Sequence, residues 1–228
     1  CHLNMGEALR KMARYEEAIG SYQQGLTILE GAPGTWFHQA SSHMGIGAAL
    51  EKMGRYEEAL GSCRRALEIY GRVTGAETLQ AMTRLLMGNL LRGARRYAEA
   101  LVEFEQAAAL FETVKGAEQF VAACYVSTGD TLREMGKHEE ALATLEKALA
   151  VYEGVKGTEA WQAGCHSHIG EALYEMGKYE DAIGSQQRAL GLLQGIEGSE
   201  KEQAQCHMAF GDALVRLGKP EVAVAKYE

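Results

Sequence analysis

The 228-residue sequence contains only two prolines. Proline removes a backbone donor and breaks helix interiors, so its scarcity leaves long helices open along most of the chain. Long apolar runs are missing too. No stretch approaches the roughly 18 residues that a membrane-crossing helix needs, and no membrane partner is expected. Positive charge is in deficit, with 23 Lys and Arg against 31 Asp and Glu, a net of −8. Phosphate binding needs the opposite balance, so nucleic acid is excluded as the main partner. The short basic groups Arg64-Arg65 and Arg92 with Arg95-Arg96 read as solvated helix faces. No charged-then-apolar leader is visible. The five cysteines are an odd number and point to reduced thiols, and together these features give an expectation of a cytoplasmic protein. Catalytic signatures are absent as well: there is no P-loop, no strand-based GxGxxG, no GxSxG and no HExxH. The chain is therefore expected to be no enzyme, with no catalytic residue and no cofactor.

Glycine is plentiful instead, 27 of 228 residues, or about 12% against a usual ~7%. Its placement is periodic. Gly6, Gly47, Gly88, Gly129, Gly170 and Gly211 stand 41 residues apart, as do Ala18, Ala59, Ala100, Ala141, Ala182 and Ala223. Leu9, Leu50, Leu91, Leu132, Leu173 and Leu214 form a third column in the same register. One array of repeats is thus expected over 1–228, with units of approximately 1–34, 35–75, 76–116, 117–157, 158–198 and 199–228. The first and last units are incomplete. They lack the polar capping helices that such arrays need for solubility, so the chain reads as a segment of a longer array.

Within a unit, two helix-period halves flank a short break such as Met53-Gly54-Arg55-Tyr56. Ala59, Leu60, Cys63, Ala66, Leu67 and Tyr70 fall on one stripe of an amphipathic helix. Gly54, Gly136, Gly177 and Gly218 follow the first helix, where a left-handed C-cap favours a residue without Cβ. Ala13 and Arg95 replace that glycine in two units, so those turns are expected to be less ideal. Pro220 opens the last second helix, where its missing N–H costs nothing. Thr35 and Thr158 are N-cap candidates, and Ser199 with Glu202 reads as a capping box.

These residues resemble the tetratricopeptide repeat, a helix–turn–helix unit marked by Leu-Gly-x-x-Tyr and then Ala-x-x-x-Phe. The first part appears as Met5-Gly6…Leu9, Ile46-Gly47…Leu50 and Ile169-Gly170…Leu173. The second appears as Ala18…Tyr22, Ala100…Phe104 and Ala223…Tyr227, with Cys63, Leu145 and Gln186 as variants. The resemblance implies an all-α fold, a right-handed α-solenoid of helix–turn–helix repeats. The usual unit has 34 residues and ends on Pro; here it has 41, and Glu30, Gly71, Glu112, Glu153 and Gln194 stand where that Pro would be. Longer helices of ~17 residues, about 25 Å each, are expected. The unit is similar to the longer repeats of kinesin light chains and of cell-polarity G-protein regulators.

Cys1, Cys124, Cys165 and Cys206 share one column, and His2, His43, His166 and His207 the next. Neighbouring helix residues point about 100° apart and adjacent helices lie about 8–10 Å apart, which suits packing and not a metal site or disulfides. His166 and His168 stand out, because the second histidine is placed to face a groove.

The family resemblance implies that first helices line a concave groove. Its candidate ligand residues are Met44, Leu85, Asn89, Arg92, Asp130, Arg133, Glu171, Tyr174 and Asp212. The C-terminal half of this groove is the more acidic, through Asp130, Glu134, Glu171, Glu175 and Asp212; the N-terminal half holds Lys11, Lys52, Arg84 and Arg92. Glu7–Arg10 and Asp130–Arg133 are spaced to pair with each other on one helix face. The expected function is a scaffold that binds a protein or peptide segment in the groove. Two alternatives stand beside it: a regulatory or sensor arm of a larger protein with an enzymatic or DNA-binding domain elsewhere, and a spacer that self-associates end to end.

Overall fold

The computed structural model describes residues 2–29 and 31–227, with side chains through residue 224. Among these residues there are twelve helices, α1 (His2–Lys11), α2 (Tyr15–Leu29), α3 (Trp36–Lys52), α4 (Tyr56–Tyr70), α5 (Glu77–Gly93), α6 (Tyr97–Glu112), α7 (Glu118–Glu134), α8 (His138–Glu153), α9 (Glu159–Glu175), α10 (Tyr179–Leu193), α11 (Glu200–Arg216) and α12 (Pro220–Tyr227). The fold is all-α, built of consecutive helical hairpins of the solenoid class. Two compact units hold them: Cys1–Val114 carries α1–α6 and Lys115–Glu228 carries α7–α12. None of the described helices is long and apolar enough to cross a membrane.

The 41-residue period reappears in the helix starts. First helices begin at Trp36, Glu77, Glu118, Glu159 and Glu200, and second helices at Tyr15, Tyr56, Tyr97, His138, Tyr179 and Pro220. From α3 to α11 every first helix has 17 residues, as the spacing implies.

The repeated small residues set how closely each hairpin closes. Every alanine from Ala18 to Ala223 in the column is at most 2% exposed. The glycine column faces the large residue sixteen positions on. A Cβ at Gly88 would stand 2.4 Å from the Phe104 ring, and one at Gly129 2.7 Å from Leu145. Those distances leave no room for a methyl group, so glycine in the first helix is what lets the second helix bury its side chain. A buried Phe104 or Leu145 contributes about 1.5–3 kcal/mol in return.

Turns follow the same logic. Gly54, Gly136, Gly177 and Gly218 all have φ between 72° and 76°, the left-handed region. Ala13 and Arg95 are held there too, at φ 57° and 60°. A Cβ in that conformation costs about 1–2 kcal/mol, so these two turns are the strained ones.

The N-cap expectation needs correction. Thr35, Thr158 and Ser199 do occupy N-cap positions, but none caps its helix through the side chain, and Ser199 with Glu202 forms no capping box. Their hydroxyls donate backwards instead. Thr158 Oγ1 reaches the Tyr152 and Val155 carbonyls at 2.6 and 2.8 Å, and Ser199 Oγ reaches those of Leu193 and Ile196 at 3.1 and 2.7 Å. Gln162 and Gln203, four residues on, donate to the same hydroxyls at 3.0 and 2.8 Å. Thr35 and Gln39 repeat the clasp. The preceding helix ends on carbonyls that lack intrahelical donors, and this demand captures the hydroxyl.

Cysteines pack as expected. Cys63, Cys124, Cys165 and Cys206 are buried and unpaired. Burial pushes the first three thiols up to about 12, so they stay protonated. Ser42 and Thr83 fill the same column, fully buried, with hydroxyls donating to carbonyls of their own helix. Among the described residues no cluster of three or more His, Cys, Asp or Glu could hold a metal ion. Cys1, Glu30, Glu228 and the Tyr227 side chain, which the sequence placed in columns or at chain ends, lie outside the described residues.

Candidate functional site

Asp130 and Arg133 lie on α7, Glu171 and Tyr174 on α9, and Asp212 on α11, and α9 touches both of the other helices. The repeat puts Asp130, Glu171 and Asp212 at equivalent positions on successive first helices. Four of the expected residues, Arg133, Glu171, Tyr174 and Asp212, line one pocket of about 300 Å³ in the second unit, together with Gly170, Glu175, Ala182, Gln186 and Ala209. The lining carries one arginine against three carboxylates.

Arg133 does not fold back onto Asp130, as the i,i+3 spacing suggested. Its guanidinium crosses to the next first helix, with Nη2 3.0 Å from Glu171 and Nη1 2.7 Å from Glu175. Burial works against its charge, but the two carboxylates outweigh burial and hold the group protonated. Asp130, only 8% exposed, meets His168 instead, with Nδ1 to Oδ1 at 2.9 Å. Burial alone would lower the His168 pKa; the hydrogen bond and charge of Asp130, helped by Glu171, raise it above its usual value. His138 stands 3.3 Å from the other oxygen of Glu175. The result is a network of ion pairs and polar contacts across α7, α8 and α9 that holds the pocket wall in place.

Gln186 on α10 lines the same pocket. It occupies the column filled elsewhere by Tyr22, Cys63, Phe104 and Leu145, and like them it is fully buried. Its Nε2 donates to the Ser167 carbonyl at 3.2 Å, which fixes the amide orientation, and its Oε1 has no hydrogen-bond partner. Sequence reasoning recorded Gln186 only as a packing variant. The signal available was a polar residue in an otherwise apolar column. His138 was also missed; it replaces the tyrosine that opens most second helices. On the other side of Glu171 a second hollow of about 420 Å³ is lined by Ser167, His168, Glu202 and Cys206 among others. His166 faces away from these, at a surface with Leu142, Glu146 and Arg188. Burial and Arg188 hold its pKa below the usual value.

The first unit has a different hollow, about 410 Å³, lined by Met44 with Leu3, Leu79, Met82, Leu86, Tyr22 and Tyr70, and by Asn4, Glu7 and Arg10. Here the i,i+3 pairing does occur: Arg10 forms a fork with Glu7 at 3.0 and 2.7 Å. Tyr22 Oη donates to the same carboxylate at 3.2 Å. Arg84, expected as a groove cation, is tied to Glu103 at 2.9 Å. Leu85, Asn89 and Arg92 are half-buried on α5 and line none of these hollows.

The sequence and the hairpin geometry can now be set beside known proteins. A family model described as Tetratricopeptide repeat matches residues 1–71, 38–113, 79–154 and 162–228. No curated protein matches the sequence. Among solved structures, BtubC (BKLC) from P. vanneervenii is similar with TM-score 0.79 and 19% identity over 93% of this chain and 87% of that one. The apo form of RapI gives TM-score 0.79 and 15% identity over 99% of this chain, which spans 62% of the RapI chain. Kinesin light chain-like repeats from Podosopora anserina give TM-score 0.67 and 13% identity, over 82% of this chain and 91% of that one. At these identities the likeness is one of fold.

Proposed function

The chain belongs to the tetratricopeptide repeat family, and from that premise we propose that it is a cytoplasmic protein-interaction scaffold that holds a protein or peptide segment against its first helices, without catalysis. The observation that carries this reading is the pocket lined from α7, α9, α10 and α11, where four residues singled out by repeat position converge. The ion pairs of Arg133 with Glu171 and Glu175 fix those side chains in advance, so little rotamer entropy is lost on binding. Residues at one-repeat spacing then contact successive positions of an extended segment, and the pocket takes one of its side chains.

The test is selection of peptides from a random 12-residue phage library on the full chain, followed by binding to a charge-reversed variant, Asp130→Lys with Glu171→Lys and Asp212→Lys. Selected peptides are expected to lose binding to the variant. Peptides that bind both proteins equally, or a selection that yields none, would overturn the groove reading.

A further inference from the structure

We infer that the contact between α7 and α9 is a proton-operated clamp, closed when His168 carries its proton against Asp130 and eased when that proton leaves. The clamp belongs to the array itself and does not depend on what the groove binds.

The starting point is a histidine that the repeat does not require. Its column on successive first helices holds Asn4, Gly45, Leu86, Ser127, His168 and Ala209. By repeat position the facing residue one unit earlier is Glu7 for Gly45, Ala48 for Leu86, and Glu171 for Ala209. The step from α7 to α9 alone sets a histidine against a carboxylate, Asp130. The two groups meet, with Nδ1 2.9 Å from Oδ1. Asp130 is buried, and an ion pair shielded from water on one side gains more from charge than one in open solvent. The His168 side chain is a third exposed, so protons can come and go.

Each helix packed on α9 bears on that proton. From α7, Asp130 attracts it and Arg133 repels it, although the guanidinium is drawn off to Glu171 and Glu175. On α9 itself Glu171 stands 4.0 Å from Nδ1. From α11, Glu202 and Cys206 share the 420 Å³ hollow with His168, and burial keeps that thiol protonated. From α8, His138 meets the far end of the network at Glu175. From α10, the uncharged Gln186 reaches only the Ser167 carbonyl. Burial opposes the proton on His168, and Asp130 with Glu171 outweighs it, whereas burial wins at His43 and His166. A site that holds its proton more tightly in the closed seam closes that seam more firmly as pH falls. Arg133 keeps its charge throughout, so a rise in pH eases the seam without parting it.

The test is hydrogen–deuterium exchange on the full chain near pH 6 and near pH 8, with each rate divided by the intrinsic rate at that pH. Amides of α7 and α9 should be about threefold better protected at the lower pH. His168→Gln and Asp130→Asn should each remove most of that difference. The histidine column already takes asparagine, serine and alanine, so His168→Gln should fold, checked by circular dichroism. Asp130→Asn keeps the shape of the carboxylate and removes its charge, so it decides the matter alone if the first variant does not fold. Equal protection of wild-type α7 and α9 at both pH values would overturn the clamp. So would a difference that persists undiminished in either folded variant.

Discussion

The two compact units are built from the same 41-residue repeat yet differ at one column. In the first, that column holds Tyr22, Cys63 and Phe104; in the second it holds Leu145, Gln186 and Tyr227, the side chain of the last lying outside the described residues. The five described are buried to 2% exposure or less. Burial is therefore set by the repeat, through the glycine each residue faces, whereas chemistry is free to vary. Beside Tyr22 the hollow is bounded by methionine and leucine. Beside Gln186 it is lined by three carboxylates and one arginine, and Oε1 lies buried without a hydrogen-bond partner. A repeat scaffold can thus keep its backbone while changing the chemistry beneath a hollow at one packing residue.

The largest effect expected from crossing the two units is Phe104→Gln, which gives the first unit the buried amide of the second. Loss of the ring and burial of an amide should cost about 3–5 kcal/mol in urea denaturation. A cost below 1 kcal/mol would mean that the column tolerates polarity anywhere. Next comes a matched pair at the facing glycine. Gly88→Ala meets the rigid Phe104 ring at 2.4 Å, while Gly170→Ala meets the flexible end of Gln186 at 2.6 Å. The first should destabilise by about 2 kcal/mol and the second by clearly less. Equal costs would break the contrast.

These expectations also mark how far sequence alone reaches. The period gave the repeat units and their breaks, and Gly54, Gly136, Gly177 and Gly218 announced their left-handed turns, because both depend on local backbone chemistry. Arg133, Glu171, Tyr174 and Asp212 stood out from repeat position and family resemblance, and they line one pocket. Their partners did not stand out. Whether Arg133 reaches Asp130 on its own helix or Glu171 on the next depends on interhelical distances that spacing does not contain. The same holds for Thr158 and Ser199, whose hydroxyls were captured by carbonyls of a preceding helix. Gln186 was visible as an exception, but only packing around it reveals the unpaired oxygen.

A smaller contrast lies in the turns. At the left-handed turn inside each hairpin the second unit has Gly136, Gly177 and Gly218, and the first has Ala13, Gly54 and Arg95. Arg95→Gly should stabilise the chain by about 1 kcal/mol, against no comparable gain available in the second unit. A loss of stability would show that Arg95 makes contacts worth more than its strain.

The smallest expected effect is pH-dependent. His168 has its pKa raised in the folded state, so its contribution is fully present below the unfolded value of about 6.5 and is lost as pH rises through the folded value. His43 in the first unit is lowered, by burial and by Arg65, so its contribution is present above that unfolded value and is lost as pH falls. His168→Gln should therefore cost less than about 1 kcal/mol near pH 5.5 and nothing near pH 9. His43→Gln should show its smaller penalty at the acid end. Melting curves across that range distinguish the two.

The most direct test is Gln186→Leu, measured by urea denaturation. Removing a buried unpaired acceptor from a site that the facing glycine shapes for a large side chain should raise stability by about 1–2 kcal/mol. Stability that drops would contradict the view that the repeat sets burial at this column and leaves its chemistry free to vary.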